Sequence, residues 1–376
     1  MRLFESQGEI RMRKFLRITG LVIAGLLVLS AVIVGYSAYR YSREMAVEPT
    51  RGVNESGYVR IGGIEQWIQI RGEDRRNPVI LWLNGGPGFS TMPATRLVRS
   101  WEHAFTVVMW DQRGEGKTFQ RTGSTLTASM TVDRMTQDGI EVAEYVRARL
   151  QKDKIIVLGH SWGSVLGVRM VKQRPDLFSV YVGTGQVTSM PADAVASYPL
   201  LRARAHDLGN RVAEEQLASI GPPPFDRTEK NFTWIIWANA LDPGEAKPAT
   251  TAALPWEALK SLYEQRYLRA GLMYSQQTMM DVVFRLDLST LGYQFDIPVV
   301  IIQGSEDLVT VTALAQDYFD KITAPHKEFV VLRGSGHLCL LNEPDTFLTA
   351  LLRHVRPLVA PGSAPTATEA NSAATK

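Results

Sequence analysis

The chain has 376 residues, a formal net charge of +3 and a single cysteine, Cys339. That length suits one large domain carrying an insertion. The near-balanced charge, with much of its positive excess close to the N-terminus, argues against a nucleic-acid-binding surface, and one cysteine excludes an internal disulfide.

The first element is apolar. Residues 18–39 contain no charged side chain and are rich in Leu, Val, Ile, Ala and Gly. As a helix, such a stretch spans roughly 33 Å, enough to cross a bilayer core. Arg11, Arg13, Lys14 and Arg17 precede it, and Tyr36, Tyr39 and Tyr41 sit at its far end. Basic residues inside and aromatics at the interface predict a single-pass anchor. Residues 1–17 are then cytoplasmic, and the rest faces the periplasm or the cell exterior. Arg40 and Arg43 weaken that asymmetry. The competing reading is a cleaved signal peptide, which calls for a shorter apolar run and a small-x-small site; Gly35-Tyr-Ser37 is only a passable one. Residues 40–55 read as a polar linker.

A catalytic core is expected over residues 56–187 and 293–357. It opens with a hairpin, 58–61 and 66–70, around Gly62-Gly63. Further strands are predicted near 79–83, 106–110, 155–158, 179–184, 297–303 and 328–332, with helices between several of them, as at 138–150. This pattern is a mostly parallel eight-stranded sheet with helices on both faces.

Four strands run into segments that carry chemistry. Val79-Ile-Leu-Trp-Leu83 leads into Asn84-Gly-Gly-Pro-Gly88, whose glycines let a backbone N–H approach a substrate. Ile155-Ile-Val-Leu leads into Gly159-His-Ser-Trp-Gly163, followed by a helical segment that stops before Pro175. A Gly-x-Ser-x-Gly between strand and helix sets Ser161 on a sharp turn at a helix N-terminus, with no room for a Cβ at either glycine. Downstream, 297–303 leads into a loop carrying Glu306 and Asp307, and 328–332 leads into Gly334-Ser-Gly-His337. A serine nucleophile needs a base, and the base needs an orienting acid. Ser161, an acid at 306 or 307, and His337 follow strands in the order of the α/β-hydrolase triad. The backbone N–H groups of Gly86 and Trp162 are assigned to the oxyanion hole. His160 should point away from Ser161, packing or lining the pocket, and Cys339 reads as a small buried residue.

Three of these segments, Asn84-Gly-Gly-Pro-Gly88, Asp111-Gln-Arg-Gly114 and Gly159-His-Ser-Trp-Gly-Ser164, occur in order. With them the chain resembles the proline iminopeptidase-like branch of the α/β-hydrolase superfamily over roughly residues 57–357. Asn84 replaces that branch's usual His, and His160 its usual Gly. The resemblance implies the α/β-hydrolase fold and a Ser161–His337–Asp307 triad, with Asp307 ending a Gly-x-x-Asp loop. Asp111 and Arg113 are expected to form a structural salt bridge near the oxyanion loop.

Residues 188–292 interrupt the strand–helix alternation. They are rich in helix formers and aromatics and read as a helical cap, its aromatics mostly cap core. Glu214 and Glu215 are candidate anchors for a substrate amine, with a solvated helix face as the plainer reading. The branch's aminopeptidases carry a Trp-x-x-Trp-Glu segment for that amine; here Trp234-Ile-Ile-Trp237 is followed by Ala238. Residues 358–376, dominated from 360 on by Ala, Pro, Ser and Thr, are expected to be a disordered tail.

No metal-ligand spacing and no dinucleotide glycine pattern is present, so no cofactor is expected. The expected partners are a small-molecule or short-peptide substrate and, through the N-terminal helix, a membrane. The leading function is proline iminopeptidase-like aminopeptidase activity through an acyl-enzyme. The alternatives are an esterase or lactonase on small acyl substrates and a non-catalytic binding protein on the same fold.

Overall fold

A computed structural model describes residues 7–243 and 254–359. The part of the expected tail from residue 360 on lies outside them. The described residues divide into two compact units.

The first unit holds residues up to 46 together with the start of a later helix, up to Gln265. Its main element is α1, Gln7–Glu44. Residues 10–44 of this helix are long and apolar enough to cross a membrane. The helix outlasts the apolar run and takes in the first residues read as linker, because no Gly or Pro lies between Tyr39 and Pro49.

The second unit is built on an eight-stranded sheet. Its strands are β1 (Val53–Ile61), β2 (Ile64–Gly72), β3 (Val79–Leu83), β4 (Thr106–Asp111), β5 (Ile155–His160), β6 (Phe178–Thr184), β7 (Val299–Gly304) and β8 (Lys327–Leu332). They lie in the order β1-β2-β4-β3-β5-β6-β7-β8. Only the β1–β2 and β2–β4 pairs are antiparallel. The hairpin strands are longer than the sequence suggests. Asn54, Glu55 and Ser56 give no apolar signal, yet they pair with Arg71, Ile70 and Gln69 of β2. The strand read from 297 starts its ladder at Val299, since Pro298 has no N–H to donate; the Pro298 carbonyl instead accepts from Tyr181 N at 2.9 Å.

The continuous apolar strands alternate between two cores. Val79, Leu81 and Leu83 enter one cluster, and Ile80 and Trp82 the other. β7 divides in the same way, Val299 and Ile301 against Val300 and Ile302. Both faces are therefore covered, as parallel sheets require, and each such side chain contributes about 1.5–3 kcal/mol by its burial.

The helices of this unit are α2 (Gly116–Thr122), α3 (Val132–Leu150), α4 (Trp162–Gln173), α5 (Met190–Asp207), α6 (Arg211–Ile220), α7 (Thr228–Ala240), α8 (Pro255–Val283, of which the part from Arg266 on belongs here), α9 (Thr312–Lys321), α10 (Cys339–Asn342) and α11 (Pro344–Ala350). α3 begins six residues before its predicted start. The Thr131 hydroxyl accepts from Arg134 N at 3.1 Å and caps it there. α5 to α8 occupy the stretch read as a cap. Its aromatics pack internally: Trp234 is fully buried and donates from Nε1 to Ser197 Oγ at 2.7 Å, and Tyr198 donates to Leu217 O at 2.8 Å.

Candidate active site

Ser161 sits between β5 and α4 at φ 52°, ψ −120°. A non-glycine residue in that region carries strain of about 1–3 kcal/mol and is held by its surroundings. Three contacts hold it. Ser161 N donates to Thr184 O at 3.0 Å, and Ser164 N and Ser164 Oγ both donate to Ser161 O, at 2.8 and 2.6 Å. The two flanking glycines are steric necessities. A Cβ on Gly159 would lie 2.6 Å from Gly163 O, and one on Gly163 would lie 2.1 Å from Leu83 O. The half-buried Ser161 side chain is presented at the N-terminus of α4, where the helix favours developing negative charge.

Asp307 and His337 leave β7 and β8 and meet. His337 Nδ1 lies 2.9 Å from Asp307 Oδ2 and 3.1 Å from Oδ1. Asp307 is otherwise saturated. Val309 N and Thr310 N donate to Oδ1 at 2.9 and 2.8 Å, and Gln303 Nε2 and Thr310 Oγ1 donate to Oδ2, each at 2.8 Å. Burial alone would raise this carboxyl, but the His337 charge and the donated bonds outweigh it and hold Asp307 below its ordinary value. Glu306, the other candidate acid, is exposed, with its backbone N bonded to Ser335 O at 2.9 Å.

The glycine loop after β3 lies beside Ser161. A Cβ on Gly85 would come 2.9 Å from His160 Nδ1 and 3.3 Å from Ser161 Cβ, so Gly85 leaves room beside Ser161. Gly86, at φ +117°, is glycine for a different reason. A side chain there would strike the loop's own amides, Gly88 N at 2.6 Å and Phe89 N at 2.8 Å. Beneath the loop, Asn84 is fully buried. It donates from Nδ2 to Trp110 O at 2.9 Å and to Glu115 Oε1, and its Oδ1 accepts from Thr91 Oγ1 at 2.6 Å. Gln112 joins this layer to the elbow, donating to Asn84 O at 3.4 Å and accepting from Trp162 Nε1 at 3.1 Å.

The expected Asp111–Arg113 salt bridge is not formed. Arg113 reaches Asp138 of α3, from Nε to Oδ2 at 2.9 Å. Asp111 accepts from Ser90 Oγ at 2.5 Å and from Lys117 N at 2.8 Å. The neighbouring Glu115 is fully buried. Burial first, then the Asp111 carboxylate, push the Glu115 carboxyl well above its ordinary value. Adjacent residues in a motif suggested a pair, but the turn after β4 points Arg113 away from the sheet end and toward α3.

A cavity of about 490 Å³ joins these parts. Gly85, Gly86, Ser161, Trp162, His160 and His337 line it together with Phe89, Val165, Val187, Phe232, Ile235, Ile236, Leu272, Met280 and Val283. Asn239 and Gln276 are its polar cap residues, and no acidic side chain is among the described residues lining it. The cap's Trp234 and Trp237 do not line it, whereas the two isoleucines between them do. Glu214 and Glu215 lie elsewhere, in an open surface depression with His206. His160 lines the cavity with its ring 5.0 Å from that of His337, and its Nε2 lies 3.1 Å from His337 O. Burial, then the proximity of His337, lower its pKa to about 3, so it stays neutral near pH 7.

One residue that sequence reasoning passed over stands behind the pair. Asp242, just past α7, is buried; His337 N lies 3.0 Å from each of its carboxylate oxygens, and Leu308 N donates to Oδ2 at 3.1 Å.

Comparison with known proteins agrees with this architecture. A family model described as serine aminopeptidase, S33, matches residues 94–345. The chain is 30% identical over 302 residues to the probable aminopeptidase YbaC of Bacillus subtilis (strain 168), a match covering 79% of this chain and 94% of that protein. It is 22% identical over 303 residues to the proline iminopeptidase of Thermoplasma volcanium, covering 80% of this chain and 96% of that one. The crystal structure of proline iminopeptidase from Mycobacterium smegmatis shares the fold, with a TM-score of 0.57 at 18% identity, covering 80% of this chain and 97% of that one. Fold and relatives together define an α/β-hydrolase-fold serine hydrolase. Within that class, the chain belongs to the serine aminopeptidase S33 family.

Proposed function

We propose that this hydrolase is an aminopeptidase on short peptides with an apolar terminal residue, working through a Ser161–His337–Asp307 triad. The observation that carries the reading is the single cavity onto which Ser161, Gly86, Trp162 and His337 open, with His337 seated on a saturated, ionised Asp307. His337 takes the Ser161 proton as Oγ attacks the carbonyl, and Asp307 holds the imidazole and supports its positive charge. The amides of Gly86 and Trp162 stabilise the oxyanion, one such donor being worth about 3 kcal/mol. His337 then protonates the leaving amine, and water repeats the sequence on the acyl-enzyme. The names of the relatives support peptide bonds as the target.

A second reading, hydrolysis of carboxylic esters or lactones, is favoured by one observation. Capture of a free N-terminal amine calls for a carboxylate, and the described lining residues supply none. Profiling on p-nitroanilides of proline, alanine and leucine against p-nitrophenyl acyl esters separates the two. Cleavage of free-amine anilides, lost in Ser161→Ala, supports the aminopeptidase. Cleavage of esters alone, lost in the same variant, replaces it with the esterase.

The helix at residues 10–44 supports a further reading, a single-pass anchor with the catalytic domain on the periplasmic or extracellular side. Fractionation tests it. The intact protein should sediment with membranes and need detergent for release, and a reporter fused after Lys376 should behave as exported. A soluble chain starting near Ala38 would show a cleaved signal instead.

A further inference from the structure

The loop that carries Asp307 has an unusual set of partners. Four successive backbone amides, residues 308–311, each donate to an aspartate side chain. Val309 N and Thr310 N take Asp307 itself, Leu308 N takes Asp242 at 3.1 Å, and Val311 N takes Asp193 at 2.9 Å. Asp193 and Asp242 both belong to the cap, one in the first turn of α5 and one just past α7. Asp242 does more than Asp193, because both its oxygens also lie 3.0 Å from His337 N. Space is cleared for it, since a Cβ on Gly336 would fall 1.7 Å from Asp242 Oδ1.

We propose that Asp242 is a positioning residue for the His337–Asp307 pair, a cap carboxylate that ties the loop carrying the base to the loop carrying the acid. This rests on the triad reading given above and goes beyond it. The arrangement gives the cap two effects on the chemistry. It fixes the approach of two loops that come from different strands. It also adds a negative charge beside the imidazole, which favours the protonated form that His337 must adopt during acyl transfer. Among the described residues, the charged and titratable groups facing His337 include Asp307 on its Nδ1, Asp242 on its backbone N–H and His160 alongside its ring, with Asp193 one step further at Val311.

A pH profile of phosphonylation by a fluorophosphonate, run on the full chain, tests this without a known substrate. The second-order labelling rate reads the reactivity of Ser161, and its acid limb reads the titration of the base. Asp242→Asn should slow labelling about tenfold at pH 8 and move the acid limb down by about half a pH unit, because a negative charge beside the base is gone. Asp242→Ser, smaller and equally neutral, repeats the test should the amide variant fail to reach the wild-type melting temperature. The same downward shift in a folded variant supports the proposal. A folded neutral variant with the wild-type acid limb and rate overturns it and leaves the triad standing. Labelling that persists in Ser161→Ala overturns the triad reading, and the role of Asp242 with it.

Discussion

Asp307 and Glu115 are two buried acids of the candidate site, and their surroundings push them in opposite directions. Asp307, behind His337, is burdened by desolvation, yet it receives two amides, a hydroxyl, an amide side chain and the imidazole, and is held in its charged form. Glu115, beneath the glycine loop after β3, is as deeply buried but receives fewer bonds, from the Asn84 side chain and the Gln112 backbone, and faces the Asp111 carboxylate. Its Oε2 has no donor, so the proton it retains is its means of forming a second bond, to Asp111. Burial sets the scale of the shift, and the donors around each carboxyl decide its sign. The two acids accordingly suit different tasks: the charged one fits the support of an imidazolium in the proposed mechanism, and the one pushed up fits the holding of a loop.

Amide isosteres should break this symmetry. Asp307→Asn should lower turnover by about four orders of magnitude while leaving the fold intact, because the imidazole loses both its orientation and its counter-charge. Steady-state kinetics beside a melting curve checks this, and Glu306→Gln should be mild. Glu115→Gln replaces a neutral acid by a neutral amide of the same shape, so activity should stay within a few-fold of wild type. Glu115→Ala removes the acceptor of a buried Asn84 N–H and should cost about 1–3 kcal/mol in a denaturant titration.

His160 extends the comparison to a buried base. Its folded pKa of about 3 lies below the unfolded value of about 6.5. As pH falls below 6.5 the unfolded chain takes up a proton that the native chain refuses until about pH 3. Stability is therefore lost on acidification through that window, with a limiting slope of about 1.4 kcal/mol per pH unit. His160→Gln should remove this component from the pH dependence of the melting temperature. The smallest effect concerns Cys339. Burial pushes its thiol up to about 12, the Thr184 hydroxyl notwithstanding. Iodoacetamide at pH 8 should leave it unmodified in the native protein and alkylate it once the chain is unfolded.

What was legible in the sequence was what lies close together along it. The elbow is written in five consecutive residues, and its two glycines are explained by contacts within that turn and with the end of β3. The parallel strands announced themselves because both faces are buried, which leaves uninterrupted apolar runs. The expected order of serine, acid and histidine rests on those strands, and β7 and β8 bring Asp307 and His337 together. The misread contacts were long-range and polar. Arg113 reads as a partner of its neighbour Asp111, but it pairs with Asp138, 25 residues away on α3. Asp242 meets amides 66 and 95 residues distant. It carries no motif, and an aspartate at a helix end ordinarily reads as a solvated cap. Glu115 carries no signal of its own in a glycine-rich turn, and it is fully buried against Asn84.

The most direct test of the central claim is intact-mass spectrometry of the enzyme quenched during turnover of an activated acyl ester, followed by peptide mapping. The account predicts a transient adduct of the acyl mass on the peptide containing Ser161, accumulating in Asp307→Asn only slowly and absent in Ser161→Ala. Turnover without any covalent adduct, or an adduct on a different residue, would contradict it.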